Sequence, residues 1–184
     1  MSGSITAESK REVDALLSRL EADYGTFERL EKTWTHSPDE QKRILERYER
    51  DELGGAGVWL RNGAGEILLV RNEGDDGWAD PGGKVEPGES VERAAKREVR
   101  EEAGVDCRLT GICEVHEITN RCETAALPDV LEAIVIFDGE YVSGEPRPRE
   151  GEIAEVDWFD APPSSVLYDE VRTRPYPAQE YSAN

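Results

Sequence analysis

The stretch Gly83-Lys-Val-Glu-Pro-Gly-Glu89-Ser-Val-Glu-Arg-Ala-Ala-Lys-Arg97-Glu98-Val-Arg-Glu101-Glu102-Ala-Gly104-Val105 is a glycine-bearing loop that runs into a strong helical segment. The pattern predicts a helix from about Ser90 to Ala103, stopped at Gly104, a residue suited to the left-handed C-terminal cap. Val91, Ala94, Ala95 and Val99 form one apolar strip along it. Glu98, Glu101 and Glu102 stand at i, i+3 and i+4, so their carboxylates share another face. Like charges at that spacing destabilise a bare helix by about 0.2–0.5 kcal/mol per pair, so a counter-charge is expected beside them. Clustered hard oxygens, with no thiolate spacing and few histidines, favour Mg2+ or Mn2+ over zinc. Mg2+ in turn prefers a site shared between carboxylates and phosphate oxygens. The glycines before the helix let backbone groups approach the same ion and phosphates. Arg97 lies eight residues after Glu89, and a Glu89–Arg97 pair can hold the loop against the helix.

On either side the texture changes. Toward the C-terminus, strands are expected near Arg108–His116, Leu131–Phe137 and Glu155–Phe159, then a short helix around Ser164–Val171 opened by Pro162 and Pro163. The tail TRPYPAQEYSAN has two prolines and no periodicity, and is expected to be extended or mobile. Toward the N-terminus, Val58–Leu60 and Ile67–Val70 read as strands joined by the turn Asn62-Gly63-Ala64-Gly65. Residues 4 to about 52 read as two helices. Val13, Leu16, Leu17, Leu20, Tyr24, Phe27 and Leu30 recur at steps of three and four. After a break at Thr35–Pro38, Ser37 is placed to cap the second helix, with Pro38 at its first position and Glu40 closing a capping box. The expected organisation is a helical hairpin at 1–52, an α/β domain with a mixed sheet at 53–172 and an extended tail at 173–184. An exposed hairpin of this kind suits dimerisation.

Composition narrows the function classes. The 184 residues carry 22 Lys and Arg against 41 Asp and Glu, a net charge of −19. Such a surface repels nucleic acid and anionic membranes, so neither is an expected partner, and a phosphate-bearing ligand needs local cations. Lys10, Lys32, Lys42, Lys84 and Lys96 are the only lysines. Acidic excess with little lysine points to a halophilic protein of a high-salt cytosol, where screening weakens self-repulsion. The N-terminus MSGSITAESKREVD lacks the apolar run of a signal peptide, and no apolar stretch approaches the roughly 18 residues of a membrane span, so a cytoplasmic location is expected. Cys107, Cys113 and Cys122, with His36 and His116, give no zinc-site spacing.

The opening stretch resembles the Nudix box, G-x5-E-x7-R-E-U-x-E-E-x-G-U with U a bulky aliphatic residue. Gly83, Glu89, Arg97, Glu98, Val99, Glu101, Glu102, Gly104 and Val105 match it at every specified position. A full match by chance anywhere in so glutamate-rich a chain has a probability on the order of 10⁻⁵. Trp78-x-x-Pro81-Gly82 and Trp158-Phe159 are also typical of the family, and the likeness extends over about 54–172. It implies an α/β/α sandwich around a mixed sheet and divalent-cation-dependent hydrolysis of a nucleoside diphosphate linked to another moiety. Carried over residue by residue, it implies Glu98 and Glu102 as principal metal ligands, with Glu101 and the Gly83 carbonyl assisting. Glu89 and Arg97 would be the supporting pair. The resemblance leaves the base as either a box glutamate or one from a later loop; Glu150 and Glu152, in the loop before the last strand, are the later-loop candidates, and Arg121 is a candidate for substrate phosphate. The family's substrate signatures give no match: sixteen residues beyond Val105 stands Arg121, not proline, and Pro128 comes too late. ADP-ribose or a nucleotide sugar is the default substrate, with non-standard nucleoside triphosphates next. The other reading is a Nudix-fold sensor that binds a nucleotide without turnover. Such modules commonly lack a box carboxylate or the arginine, and none is missing here. Trp59 and Trp78 are read as core residues before pocket residues.

Overall fold

Gly25, at φ +81°, breaks the helical stripe of the N-terminal segment, and the chain beyond it is a strand. The computed structural model describes residues 2–180. Along the chain the elements are α1 (Ser2–Tyr24), β1 (Glu28–His36), α2 (Pro38–Glu49), β2 (Gly55–Arg61), β3 (Ile67–Asn72), β4 (Trp78–Ala79) and β5 (Gly82–Lys84). The chain continues with α3 (Val91–Ala103), β6 (Asp106–Cys122), β7 (Val130–Ser143), β8 (Ile153–Phe159), α4 (Glu170–Thr173) and α5 (Pro177–Glu180). They fall into two compact units. The first takes the chain up to Ala56 with Lys84–Val91 and Ile112–Ile136; the second takes Gly57–Gly83, Glu92–Gly111 and the chain from Phe137 on.

In the first unit, Val13, Leu17 and Leu20 are the buried face of α1, spaced four and three apart as the helical period requires. The expected hairpin is not formed. Phe27 and Leu30, which continue the helical stripe on paper, lie beyond the break, and β1 pairs in parallel with the far part of β6 from Glu28↔Glu114 to His36↔Cys122. Nine ladder positions with Thr33, Trp34 and Thr35 among them outweigh a weak stripe of polar neighbours. The exposed hairpin that pointed to a second copy is therefore absent. α2 starts as read: Ser37 is its N-cap, Pro38 opens it and the capping box with Glu40 is complete. A buried polar network seats these elements. Gln41 Nε2 donates to the Asn120 and Pro128 carbonyls at 3.1 and 2.8 Å, His36 Nε2 meets Asn120 Oδ1 at 2.8 Å, and Asn120 Nδ2 donates to Glu132 at 2.8 Å. The hydroxyl of Ser9 on α1 accepts from the Leu131 N–H at 3.1 Å.

Within the first unit β1, β6 and β7 are neighbours in that order; within the second the order is β2-β3-β4, with β8 antiparallel on β3 from Ile67↔Phe159 to Asn72↔Ile153. Val58, Trp59 and Leu60 of β2 and Ile67, Leu68 and Leu69 of β3 are all fully buried, a continuous run rather than an alternation, which means both faces of these strands are covered. Their connection turns on Asn62, whose side-chain oxygen accepts from the Ala64 and Glu66 N–H groups at 3.0 Å each. Parallel β1–β6 and antiparallel β2–β3 and β3–β8 pairing make the strands a mixed set, as the α/β reading requires. Ser164–Asp169 is not the expected helix; only α4 is helical there. Nor is the tail free as far as it is described: Arg174 and Tyr176 are 4% and 0% exposed. Residues 181–184 of the expected tail lie outside the described residues. Among the described residues no helix is long and apolar enough to cross a membrane.

Candidate active site

Helix α3 buries Ala94, Ala95, Val99 and Ala103 completely, and this packing fixes the rotation of the helix about its axis. It carries Glu98 and Glu102 inward as well, to 8% and 5% exposure, while Glu101 stays exposed. The loop before the helix then meets them. The Gly82 N–H donates to Glu102 Oε2 at 3.0 Å. A Cβ on Gly83 would stand 2.6 Å from the Glu98 carboxyl carbon and from one of its oxygens, so only glycine lets this carboxylate lie against the backbone. Gly104, at φ +74°, ends the helix with its N–H on the Arg100 carbonyl at 3.1 Å.

The electrostatics are those of carboxylates gathered out of water. Burial, opposed by the Gly82 N–H and reinforced by Glu98, Glu152 and Asp80, pushes the Glu102 carboxyl up to about 8. Burial also raises Glu98, with the Arg97 guanidinium opposing it. Arg97 is the counter-charge that the helix pattern calls for: its Nη1 donates to Glu98 Oε1 at 2.7 Å and to Glu101 Oε2 at 3.3 Å.

Of the later-loop residues, Glu152 reaches this cluster and Glu150 does not. The Arg147 and Arg149 N–H groups donate to the Ala103 and Glu102 carbonyls at 2.9 and 3.3 Å, so residues 147–149 satisfy backbone acceptors that the helix end leaves open. Arg149 Nη1 then bridges Glu101 at 3.3 Å and Glu152 at 3.1 Å. Glu152 acts electrostatically on both Glu98 and Glu102. Glu150 is exposed. Glu89 and Arg121 belong to the first unit. There the Glu89 carboxylate accepts from the Glu86 N–H at 3.1 Å, and Arg121 pairs with Asp129 at 3.0 Å. That unit also holds a cleft of about 960 Å3 with Val13, Leu16 and Leu131 on its wall and Glu12, Tyr48 and Glu89 among its polar groups. Trp59 is fully buried and is a core residue, whereas Trp78 is half-buried and packs edge-on against Phe159 at 4.8 Å.

Among the described residues no three acidic, histidine or cysteine side chains already stand together as a ligand set, and arginine and backbone donors occupy the α3 carboxylates. The donors nonetheless fit a hard divalent cation. They are all oxygens, two of them sit on a buried face that disfavours their charge, and Gly83 keeps the backbone open beside Glu98. Glu98 and Glu102, with Glu101 and the Gly83 carbonyl, would hold the ion.

A second polar group in the same unit carries little mark in the sequence: Asp80 and Arg174, both buried, with the half-buried Tyr168. Asp80 Oδ1 accepts from Arg174 Nη1 at 2.7 Å and from the Tyr168 hydroxyl. An acid two residues before Gly82 was the available local signal; nothing local marks its partners.

A family model described as NUDIX domain matches residues 52–173. The NAD-capped RNA hydrolase NudC of Pseudomonas aeruginosa (strain LESB58) is 36% identical over 117 residues, 62% of this chain and 38% of that protein, so the alignment spans well under half of the relative. The solved MutT NUDIX hydrolase from Burkholderia pseudomallei is 28% identical at a TM-score of 0.50, over 62% of this chain and 89% of that one. A solved UDP-X diphosphatase, 22% identical at a TM-score of 0.51, covers 95% of this chain and 78% of that one and shares the fold. The family match takes in well over half of the 184 residues, including the whole loop and helix that gather the carboxylates, and the chain belongs to the Nudix family.

Proposed function

We propose that the protein is a Nudix pyrophosphohydrolase that cleaves the diphosphate linkage of a nucleoside diphosphate joined to another moiety, with Mg2+ or Mn2+ held by Glu98, Glu102, Glu101 and the Gly83 carbonyl. The observation that carries this reading is the Gly82–Gly83 backbone laid against two buried carboxylates of one helix face. The cation, when bound, neutralises the charge of the diphosphate and of the carboxylates and lowers the pKa of water. Arg97 keeps Glu98 and Glu101 oriented. Glu152, steadied by Arg149, accepts the proton of the attacking water as the new P–O bond forms, and the bridging oxygen keeps the electron pair of the broken P–O bond and leaves on a phosphate anion. Glu150 and Glu152 are both exposed, and Glu152 is the favoured base because Arg149 links it to Glu101. ADP-ribose or a nucleotide sugar is the proposed substrate class, with non-standard nucleoside triphosphates next. The name of the P. aeruginosa relative supports a nucleotide-derived substrate. The net charge of −19 disfavours an RNA body as the main determinant of binding.

The test is product release from ADP-ribose, NADH, nucleotide sugars, dinucleoside polyphosphates and oxidised nucleoside triphosphates, with Mg2+ or Mn2+, at low and high KCl. Turnover that requires the cation and is lost in Glu102→Gln is the expected result. Ligand binding without turnover in any condition would overturn hydrolysis and favour the sensor reading.

A further inference from the structure

The C-terminal segment reaches back to the loop that meets the α3 carboxylates, and does so through buried charge. Arg174 is 4% exposed, and its guanidinium lies 5.0 Å from the Trp59 ring centroid and 5.2 Å from that of Tyr168. From there Nη1 donates to Asp80 Oδ1 at 2.7 Å and to the Tyr168 hydroxyl oxygen at 3.0 Å. The Tyr168 hydroxyl donates to the same Asp80 oxygen. The neighbouring backbone is locked too. The Pro175 carbonyl accepts from Trp59 Nε1 at 3.3 Å, Tyr176 stacks edge-on against Trp59 at 5.3 Å, and the Tyr176 hydroxyl donates to the Val171 carbonyl at 2.8 Å. Upstream, the Trp78 N–H and carbonyl bond to Ser165 and Leu167 at 3.2 and 2.9 Å, and a Cβ on Gly77 would stand 2.6 Å from Leu167 N. Residues 77–80 are therefore gripped by 165–174. Pro81, with its fixed φ, separates that grip from Gly82, whose N–H holds Glu102.

We infer that Asp80, Tyr168 and Arg174 form a positioning device for catalysis: by fixing Asp80 they set where the Gly82–Gly83 backbone stands against Glu98 and Glu102. The inference rests on the reading of those carboxylates as the metal-holding centre. A buried ion pair is weak evidence for stability, since a well-packed apolar set serves stability as well or better. This pair has directional hydrogen bonds on one carboxylate oxygen and lies two residues from a backbone donor to Glu102, so its effect falls on position. Misplacement of a site element by about 1 Å can cost about 10²-fold in rate, so small shifts at Asp80 suffice.

The test uses Tyr168→Phe, which removes one hydroxyl and leaves the ring, and Arg174→Lys, which keeps the charge and loses the planar fork. Binding of Mn2+ alone is read by electron paramagnetic resonance, beside kcat, KM and thermal melting. For both variants the expected result is a weakening of Mn2+ binding and a fall in kcat of about tenfold each, with KM within about twofold. Wild-type Mn2+ affinity in both variants, whatever their melting temperatures, would overturn the inference and leave a structural role alone. A wild-type protein whose Mn2+ binding and turnover fall in Glu102→Gln but not in Tyr168→Phe or Arg174→Lys overturns only the positioning. A wild-type protein that binds no Mn2+, or whose Mn2+ binding survives Glu102→Gln, overturns the underlying reading as well.

Discussion

Glu102 carries a carboxyl group in surroundings that resist its charge. Burial is the main cause, and Glu98, Glu152 and Asp80 add to it, so the group is raised from the ordinary carboxylate range to about 8. In the unfolded chain it titrates near 4.5, so between these values the folded protein binds more protons than the unfolded one. Stability from this group is therefore fully present below about pH 4.5 and is lost as pH rises through about 8. Glutamine at this position stays neutral and can still accept from Gly82. In EDTA, Glu102→Gln should melt near wild type at pH 4.5 and above it at pH 8.5. Added Mg2+ should raise the wild-type melting temperature and not that of the variant. Scanning fluorimetry across the two pH values checks this. A variant less stable than wild type at pH 8.5 without metal would mean that the carboxylate is already compensated by protein groups.

At the scale of elements, the end of α3 couples helix to loop. Gly104 sits at φ +74°, and a Cβ there would meet Arg147 Cγ at 2.6 Å and the Glu145 carbonyl at 3.3 Å. Gly104→Ala should therefore destabilise the fold by about 1–2 kcal/mol from the left-handed backbone. It should also lower kcat, because residues 145–149 lead to Glu152; urea unfolding and steady-state kinetics measure the two effects. A stability loss with unchanged kcat would detach the loop from the chemistry. Such local devices were legible in the sequence: the helix and its glycine stop, the Ser37–Glu40 cap, the buried runs of β2 and β3 and the carboxylate face all depend on neighbours within a few residues. β1 was not. It sits at the end of the strand order with mostly exposed side chains, so it shows no alternation, and its state is set by pairing with residues 114–122. The same holds for Asp80 and Arg174, which are 94 positions apart and have meaning only as a pair.

For the whole molecule the decisive quantity is charge. With 41 acidic and 22 basic side chains, 19 acids would remain unmatched even if every base were paired. Exposed pairs such as Lys10–Asp14, Lys42–Asp39 and Arg108–Glu140 contribute about 0–1 kcal/mol each, and salt weakens them. Salt weakens the excess repulsion at the same time, as the screening length falls from about 10 Å at 0.1 M to about 3 Å at 1 M. Repulsion among unmatched acids is the larger and longer-ranged sum, so its relief should win. We propose on this ground that the protein is adapted to high salt, and that its melting temperature rises continuously between 0.1 and 2 M KCl. Sucrose at matched osmolality separates screening from general exclusion of solutes and should give a smaller rise. A melting temperature that is flat or falls with KCl would show that the basic residues, largely arginines, already balance the acids where they crowd, and the high-salt reading would be lost while the assignment to the Nudix family stood.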